Sequence, residues 1–258
     1  MPTFLFDEII FGPVKSRRLG ASLGINLLPV SGKFCNFNCI YCECGWSGES
    51  GQTTRLPSRE DIRIHLEKKL REIVVEGAPL DMITFAGNGE PTIHPEFTGI
   101  IEDTIDVRNR LVPSVKIAVL SNASRLSRPE IFESLGRIDK NILKLDSALE
   151  KTVNLINQPP AGYSIENVVE GMMRYKGRFI LQTLFVKGEF GGVVVDNSSD
   201  EEVAAWLEIV KNVMPEMVMI YTIARDTPID TIRKVEPEKL DTIAGEIRKL
   251  GILVQVSY

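Results

Sequence analysis

Short apolar runs alternate with amphipathic stretches along almost the whole chain, and nothing else in the sequence constrains the fold as tightly. Strand candidates are Leu23–Val30, Met82–Ala86, Val115–Leu120, Ile142–Leu145, Phe179–Val186 and Met217–Thr222, with Ile252–Val256 as a seventh. They are mostly continuously apolar, as strands covered on both faces tend to be. Helical spacing fills the intervals. Ser58 precedes a stripe of Ile62, Leu66, Leu70 and Ile73 that Gly77 closes, and Phe97, Ile101 and Ile105 mark the next. Ile165, Val168, Val169 and Met172 form another stripe, and Leu240, Ile243, Ile247 and Leu250 the last, stopped by Gly251. Ser127–Glu130 and Ser199–Glu202 both carry the capping-box pattern. The order is about six β-then-α units, which predicts an α/β fold with a parallel sheet and right-handed crossovers. Six such units close into an open, partial barrel or lie flat as a doubly wound sheet.

No Pro/Gly-rich linker, tandem repeat or low-complexity tract divides the 258 residues, so one domain over 1–258 is expected. An N-terminal extension, residues 1–21, precedes the first strand candidate. Two connections exceed ordinary loop lengths: residues 31–57, and the glycine-rich 187–198. Long ordered loops are usually functional. No apolar run approaches the roughly 18–20 residues of a membrane helix. Acids stand near the start where a secretory signal carries Lys or Arg, so the expected location is the cytoplasm, with no membrane partner. The net charge of −5 disfavours the chain as a whole as a nucleic-acid binder.

All four cysteines, Cys35, Cys39, Cys42 and Cys44, fall in the first long connection. A disulfide framework spreads cysteines to close long loops; four packed together point to a metal site. Structural zinc draws on two Cys or Cys/His pairs separated by a longer stretch, a pattern absent here. His65 and His94 read as helix surface or loop. Cys35, Cys39 and Cys42 have C-x3-C-x2-C spacing, and a cubic iron–sulfur cluster wants such soft thiolates. Three of them hold three irons and leave the fourth open to a ligand. Cys44 could complete a closed, four-thiolate electron-transfer centre, although C-x-C crowds the cube; otherwise it is a free thiol near the site.

The spacing, with Tyr41 as the aromatic before the last cysteine, resembles the cluster motif of the radical S-adenosylmethionine superfamily. The likeness runs along nearly the whole chain. Gly12–Gly24 (GPVKSRRLGASLG), Gly87–Pro91 (GNGEP), Leu181–Gly188 (LQTLFVKG) and Tyr221–Arg225 (YTIAR) resemble an iron–sulfur oxidoreductase subfamily related to the wyosine-base tRNA synthases. The resemblance implies a partial (β/α)6 barrel. It implies a 4Fe–4S cluster on Cys35, Cys39 and Cys42, whose fourth iron chelates S-adenosylmethionine. Reductive cleavage of that cofactor then yields methionine and a 5′-deoxyadenosyl radical that takes hydrogen from a substrate. A low-potential donor such as flavodoxin or ferredoxin would supply the electron.

Functional groups of a parallel barrel collect where its strands end, and polar residues stand at those positions here. Gly87 and Gly89 permit close backbone approach to a ligand, and the resemblance assigns Gly87, Asn88, Gly89, Glu90 and Pro91 to the methionyl amino group. Asn88 departs from a strict Gly-Gly-Glu. Ser121, Asn122, Asp146 and Ser147 are candidates for the ribose hydroxyls and carboxylate end of the cofactor, against ordinary turn chemistry. Lys144 shares the parity of Asp146, so both would point into the barrel, where the methionyl carboxylate of the cofactor or Asp146 would partner the lysine; otherwise Lys144 lies on the helix side with its tip in solvent. Arg17, Arg18, Lys187 and Arg225 are candidates for an anionic substrate, against a reading as solvated surface charge. Trp46 shields the cluster or is an exposed loop aromatic, and Trp206 belongs to the core. Gln158 replaces an arginine of the subfamily's Asn-Arg-Pro stretch.

Three functions compete: a radical enzyme, a closed-cluster electron-transfer or sensing protein, and a zinc-binding module. Within the first, the wyosine relatives resemble a longer pattern with extra N-terminal cysteines that this sequence lacks. A small molecule, peptide or protein substrate, including a glycyl-radical protein to be activated, is therefore favoured over tRNA.

Overall fold

The computed structural model describes residues 4–48 and 55–258. Residues 49–54 of the predicted 31–57 connection, and the first three of the extension, lie outside them.

Among the described residues ten strands form the sheet: β1 (Ile10–Ser16), β2 (Gly20–Ile25), β3 (Met82–Phe85), β4 (Lys116–Ser121), β5 (Lys140–Lys144), β6 (Ile180–Phe190), β7 (Val193–Asp196), β8 (Met217–Thr222), β9 (Ile232–Lys234) and β10 (Leu253–Ser257). The helices are α1 (Arg59–Glu76), α2 (Phe97–Leu111), α3 (Pro129–Gly136), α4 (Glu150–Ile156), α5 (Ile165–Arg174), α6 (Asp200–Val213) and α7 (Pro237–Lys249). The main path runs β1-β2-β3-β4-β5-β6-β8-β10. From β2 to β10 every pairing on it is parallel. Six β-then-α units and a last strand account for it. Its two end strands, β1 and β10, are not paired with each other, so the curved sheet is open.

Strand parity sorts the side chains. Ile83, Phe85, Ile117, Val119, Leu143, Leu181, Phe185, Val218 and Ile220 face the helices and join the main core. Met82, Ala118, Ile142, Ile180 and Met219 form a separate apolar layer on the opposite, inner face. Successive Cβ atoms of a strand alternate faces, so the residues two further on from Ala118, Ile142, Ile180 and Met219 also point inward. These are Leu120, Lys144, Gln182 and Tyr221, and all four line one cavity above the apolar layer. The helix-side alternative for Lys144 is thereby overturned.

Several expectations need correction. The first parallel strand stops at Ile25 instead of Val30, because Asn26 turns the chain: its side chain accepts from the Leu28 and Asn88 backbone N–H groups. The extension is no appendage, since β1 pairs antiparallel with β2. The glycine-rich 187–198 connection is a hairpin. β6 runs on to Phe190, Gly191 and Gly192 both take positive φ, and β7 returns beside it, the turn geometry that suits a two-residue hairpin. β9 pairs with the other side of the same extension. Of the two expected capping boxes, Ser199 caps α6 through the Glu202 N–H, but the Glu202 carboxylate bonds Ser147 and Thr152 instead of reciprocating. Ser127 caps nothing, because Pro129 occupies the first turn and Arg128 holds the cap position. The full capping box lies at Ser58 and Asp61.

Candidate active site

The loop that leaves β2 folds back over the inner face of the sheet. Its backbone is tied to the turn after β3 and to the end of α4, among other points. The Phe34 N–H donates to the Asn88 carbonyl (2.8 Å), and the Ile40 N–H donates to the Ile156 carbonyl at the end of α4 (2.9 Å). Phe37, Ile40 and Tyr41 bury their side chains with Ile156, Leu184, Val186, Val195 and Ile232 in a second core, and Trp46 packs against its edge, stacked on Phe190. The β6 extension, β7 and β9 are thus the platform on which the cysteine loop rests.

Cys35, Cys39, Cys42 and Cys44 all line one cavity of ≈190 Å³. Lys33, Phe37, Tyr41, Gly87, Gly89, Glu90, Ser121 and Asn122 share the wall with the four inward strand residues. Burial pushes the Cys35 thiol up to about 12, with the Glu90 charge adding to it, and burial raises Cys39 as well. Cys42 instead falls to about 6, because a side-chain hydrogen bond from Cys44 outweighs its burial and Lys33 adds to the effect. The same bond, together with burial, drives Cys44 upward. Cys44 also points its sulfur at the Gly87 carbonyl (3.8 Å).

A buried network backs the loop. The Asp146 side chain is fully buried beside Lys144, its ion-pair partner. Its Oδ2 accepts from Tyr41, Lys144 and Asn157 Nδ2 (2.8 Å for the last), and its Oδ1 accepts from the Leu184 N–H (3.0 Å). Burial lowers Lys144, yet the charge and hydrogen bond of Asp146, with Cys39 and Tyr221 adding to them, together leave it raised. Asn157 also reaches the Cys39 sulfur (3.5 Å) and the Tyr41 hydroxyl (3.1 Å). The Lys144 ammonium lies 4.5 Å from the Tyr41 ring centre, a cation–π contact. Tyr41 is therefore a strut between the loop and the β5 end.

Glu90 is a second buried carboxylate. It accepts from the Thr92 N–H (3.1 Å) and hydroxyl (2.6 Å), the Ser121 hydroxyl (2.9 Å) and the Asn122 N–H (2.6 Å). Burial raises its pKa, with those four donors opposing. It locks the turn after β3 to the end of β4, while Pro91 opens a short 3-10 turn. Asn122 donates to Asn36 Oδ1 (2.8 Å) and so steadies the loop beside Cys35.

The two glycines of that turn exclude a Cβ on packing grounds as well. A Cβ on Gly89, at φ +145°, would lie 1.9 Å from the Phe34 carbonyl oxygen, and one on Gly87 would meet the Asn26 amide at 2.3 Å. The close neighbour is the cysteine loop's own backbone at Gly89 and a β2-end side chain at Gly87. Asn88 faces away from the cavity: its amide group bonds the Phe6 N–H and the Phe6 and Pro29 carbonyls. Ser147 turns outward to the Glu202 carboxylate (2.5 Å).

The four substrate candidates do not converge. Arg17 donates to the carbonyl of Tyr258, Lys187 pairs with Glu236 (2.6 Å), and Arg225 pairs with Glu43 (2.6 Å) on the cysteine loop. Arg18 alone nears the cavity, its guanidinium 4.4 Å from the Tyr221 ring centre. His65 and His94 bond backbone carbonyls, of Asp61 and Pro57. Lys33, Gln182, Tyr221 and the anchoring role of Asn157 escaped the reading from sequence. Parity from Ile180 and Met219 would have found Gln182 and Tyr221; nothing periodic marks Lys33.

The donor set fits a cubane. Among the described residues no three His, Cys, Asp or Glu side chains converge as a single-ion site requires. A cubane takes each thiolate on a different iron, so its ligands surround a volume instead of meeting at a point. Cys35, Cys39 and Cys42 would hold it, and the cavity beyond them is lined by backbone, hydroxyl, amide and phenol groups suited to an amino-acid cofactor.

Comparison with known proteins agrees. A family model described as the Radical SAM superfamily matches residues 30–210. The chain is 29% identical over 236 residues to the protein named GTPase Obg of Brachyspira hyodysenteriae, covering 90% of this chain and 32% of that one. It is 30% identical over 238 residues to a UPF0026 protein of Helicobacter pylori, covering 90% of this chain and 71% of that protein. A radical SAM methyltransferase from Sphaerobacter thermophilus shares the fold, with TM-score 0.68, 17% identity, and coverage of 92% of this chain and 66% of the other. The sheet is thus the partial barrel of that superfamily, whose cofactors are a 4Fe–4S cluster and S-adenosylmethionine. On the residues of the loop and on these likenesses together, the chain belongs to the radical SAM superfamily.

Proposed function

We propose that the protein is a hydrogen-abstracting radical enzyme acting on a small molecule, peptide or protein. The observation that carries this reading is the single cavity where three motif thiols meet the Gly87–Glu90 turn and the inward strand residues. When bound there, the cluster and S-adenosylmethionine supply reductive cleavage to methionine and a 5′-deoxyadenosyl radical. The chain's own groups bind and orient. Cys35, Cys39 and Cys42 hold the cluster. The backbone at Gly87 and Gly89 and the hydroxyl and amide groups of Ser121, Asn122 and Gln182 border the space for the cofactor. Lys144, already neutralised by Asp146, offers its remaining N–H bonds without adding net charge. Trp46 and the β6–β7 hairpin cover the loop from solvent. A low-potential donor such as flavodoxin or ferredoxin completes the cycle. The protein's −5 charge supports a substrate other than tRNA.

The test is anaerobic. Reconstituted, reduced protein given S-adenosylmethionine releases 5′-deoxyadenosine and methionine in equal amounts, slowly alone and faster with a cell extract that contains the substrate. A reduced, cofactor-binding protein that never forms 5′-deoxyadenosine overturns the proposal. One observation favours a second reading, a closed electron-transfer centre: Cys44 lines the same cavity as the other thiols. Under the first reading Cys44→Ala keeps its iron while Cys39→Ala loses it; equal loss in both selects the closed centre.

A further inference from the structure

Two lysines line the cavity, and they differ in one respect. Lys144 has its carboxylate, Asp146. Lys33 is 6% exposed, donates to the Gly45 carbonyl (3.0 Å), and among the described residues has no carboxylate partner. A buried ammonium is costly unless a negative group answers it, and one carbonyl does not. What it shares the cavity with is the thiols: Lys33 lines the same wall as Cys35, Cys39, Cys42 and Cys44, and its ammonium is held at the Gly45 carbonyl, three residues beyond Cys42. Glu90, the other buried carboxylate of the cavity, is occupied by four donors on its own side.

We infer that Lys33 is the fixed counter-charge of the thiolate-bound cluster, raising its reduction potential and pinning the Cys42–Gly45 end of the loop around it. Three thiolates outweigh the charge of a cubane core, so the assembly is anionic and becomes more so on taking up an electron. A cation within the cavity favours the reduced form more than the oxidised one, and hydrogen bonds to ligating sulfur act in the same direction. Lys33 is argued to act through the cluster, so it is a positioning residue. The inference rests on the cluster reading above, and iron content of the parent tests that reading separately.

The experiment is a redox titration of the reconstituted protein without S-adenosylmethionine, using photoreduced deazaflavin and following the reduced-cluster EPR signal. Lys33→Met, of similar length and no charge, shifts the midpoint to more negative potential. The expected size is on the order of tenfold in the reduced-to-oxidised ratio at fixed potential, about 59 mV for one electron. Lys33→Arg keeps the parent midpoint. An unchanged midpoint in a fully loaded Lys33→Met protein overturns the inference. So does an unchanged midpoint with weakened S-adenosylmethionine binding by calorimetry, which would assign Lys33 to the cofactor carboxylate. Should Lys33→Met fail to load iron, loading by Lys33→Arg supports a need for the charge, and failure of both overturns it in favour of lysine packing alone.

Discussion

At the scale of single residues, the site is held by two buried carboxylates with opposite surroundings. Glu90 is answered by neutral donors, whereas Asp146 is answered by a cation, a phenol, an amide and a backbone N–H. That contrast predicts different responses to isosteric change. Asp146→Asn leaves Lys144 without its counter-charge, hydrated only from the cavity side. Removing one partner of a buried pair costs about 3–5 kcal/mol, so the cluster-free variant should lose stability of that order in urea unfolding. Removing Lys144 as well, with Met, should recover part of the loss. A single-variant cost below about 1 kcal/mol would mean that the pair does not hold the loop to β5. Glu90→Gln keeps one of the two oxygens for the Thr92 and Ser121 donors, sets its amide group against the Asn122 N–H alone and leaves no orphaned cation, so its cost is expected to be smaller by the same measurement.

At the scale of elements, legibility from sequence followed periodicity. The six units, the seventh strand and the stripes on α1, α5 and α7 were readable because each repeats a spacing that only one structure satisfies. The cysteines were readable because their spacing is chemical. What was missed has no period. β1 breaks its own pattern at Gly12 and Pro13, where the register with β2 slips. The hairpin was signalled by Gly191 and Gly192 but hidden in a run rich in polar residues. The partner of Gly89 could not be read at all, since the contact joins Phe34 to a residue far along the chain. That contact gives Gly89 a structural role as well. Gly89→Ala places a methyl group where the Phe34 carbonyl lies and asks an L-residue to adopt φ +145°. The loop must shift one residue before Cys35, so iron loading and S-adenosylmethionine binding should fall together. Full iron content with selective loss of cofactor binding, by iron assay and calorimetry, would return the glycine to its ligand-facing role.

Across the whole molecule, the two cores divide the labour. The larger one lies between the sheet and the helices and runs from Ile10 of β1 to Ile252 beyond α7 without any cysteine. The smaller one gathers Phe37, Cys39, Ile40 and Tyr41 onto Leu184, Val186, Val195 and Ile232. Stability in such an arrangement is not uniform, and segments with fewer buried contacts open at lower free energy. A ligand held by the smaller core stabilises mainly the state in which that core is closed. Removing the cluster should therefore leave the parallel sheet intact while loosening one region. Hydrogen exchange on protein with and without its cluster should show faster exchange along residues 33–47 and along β6 beyond Val186, β7 and β9. Amides of β3, β4 and β5, and of the buried faces of α1 and α2, should keep their protection. The platform strands belong in the first group because their strand pairing is with the β6 extension and they share the smaller core with the loop. Equal loss of protection in β3–β5 and in the loop would show that the cluster is a keystone of the entire fold. Loss confined to the loop, with β7 and β9 unmoved, would show that the hairpin stands without it.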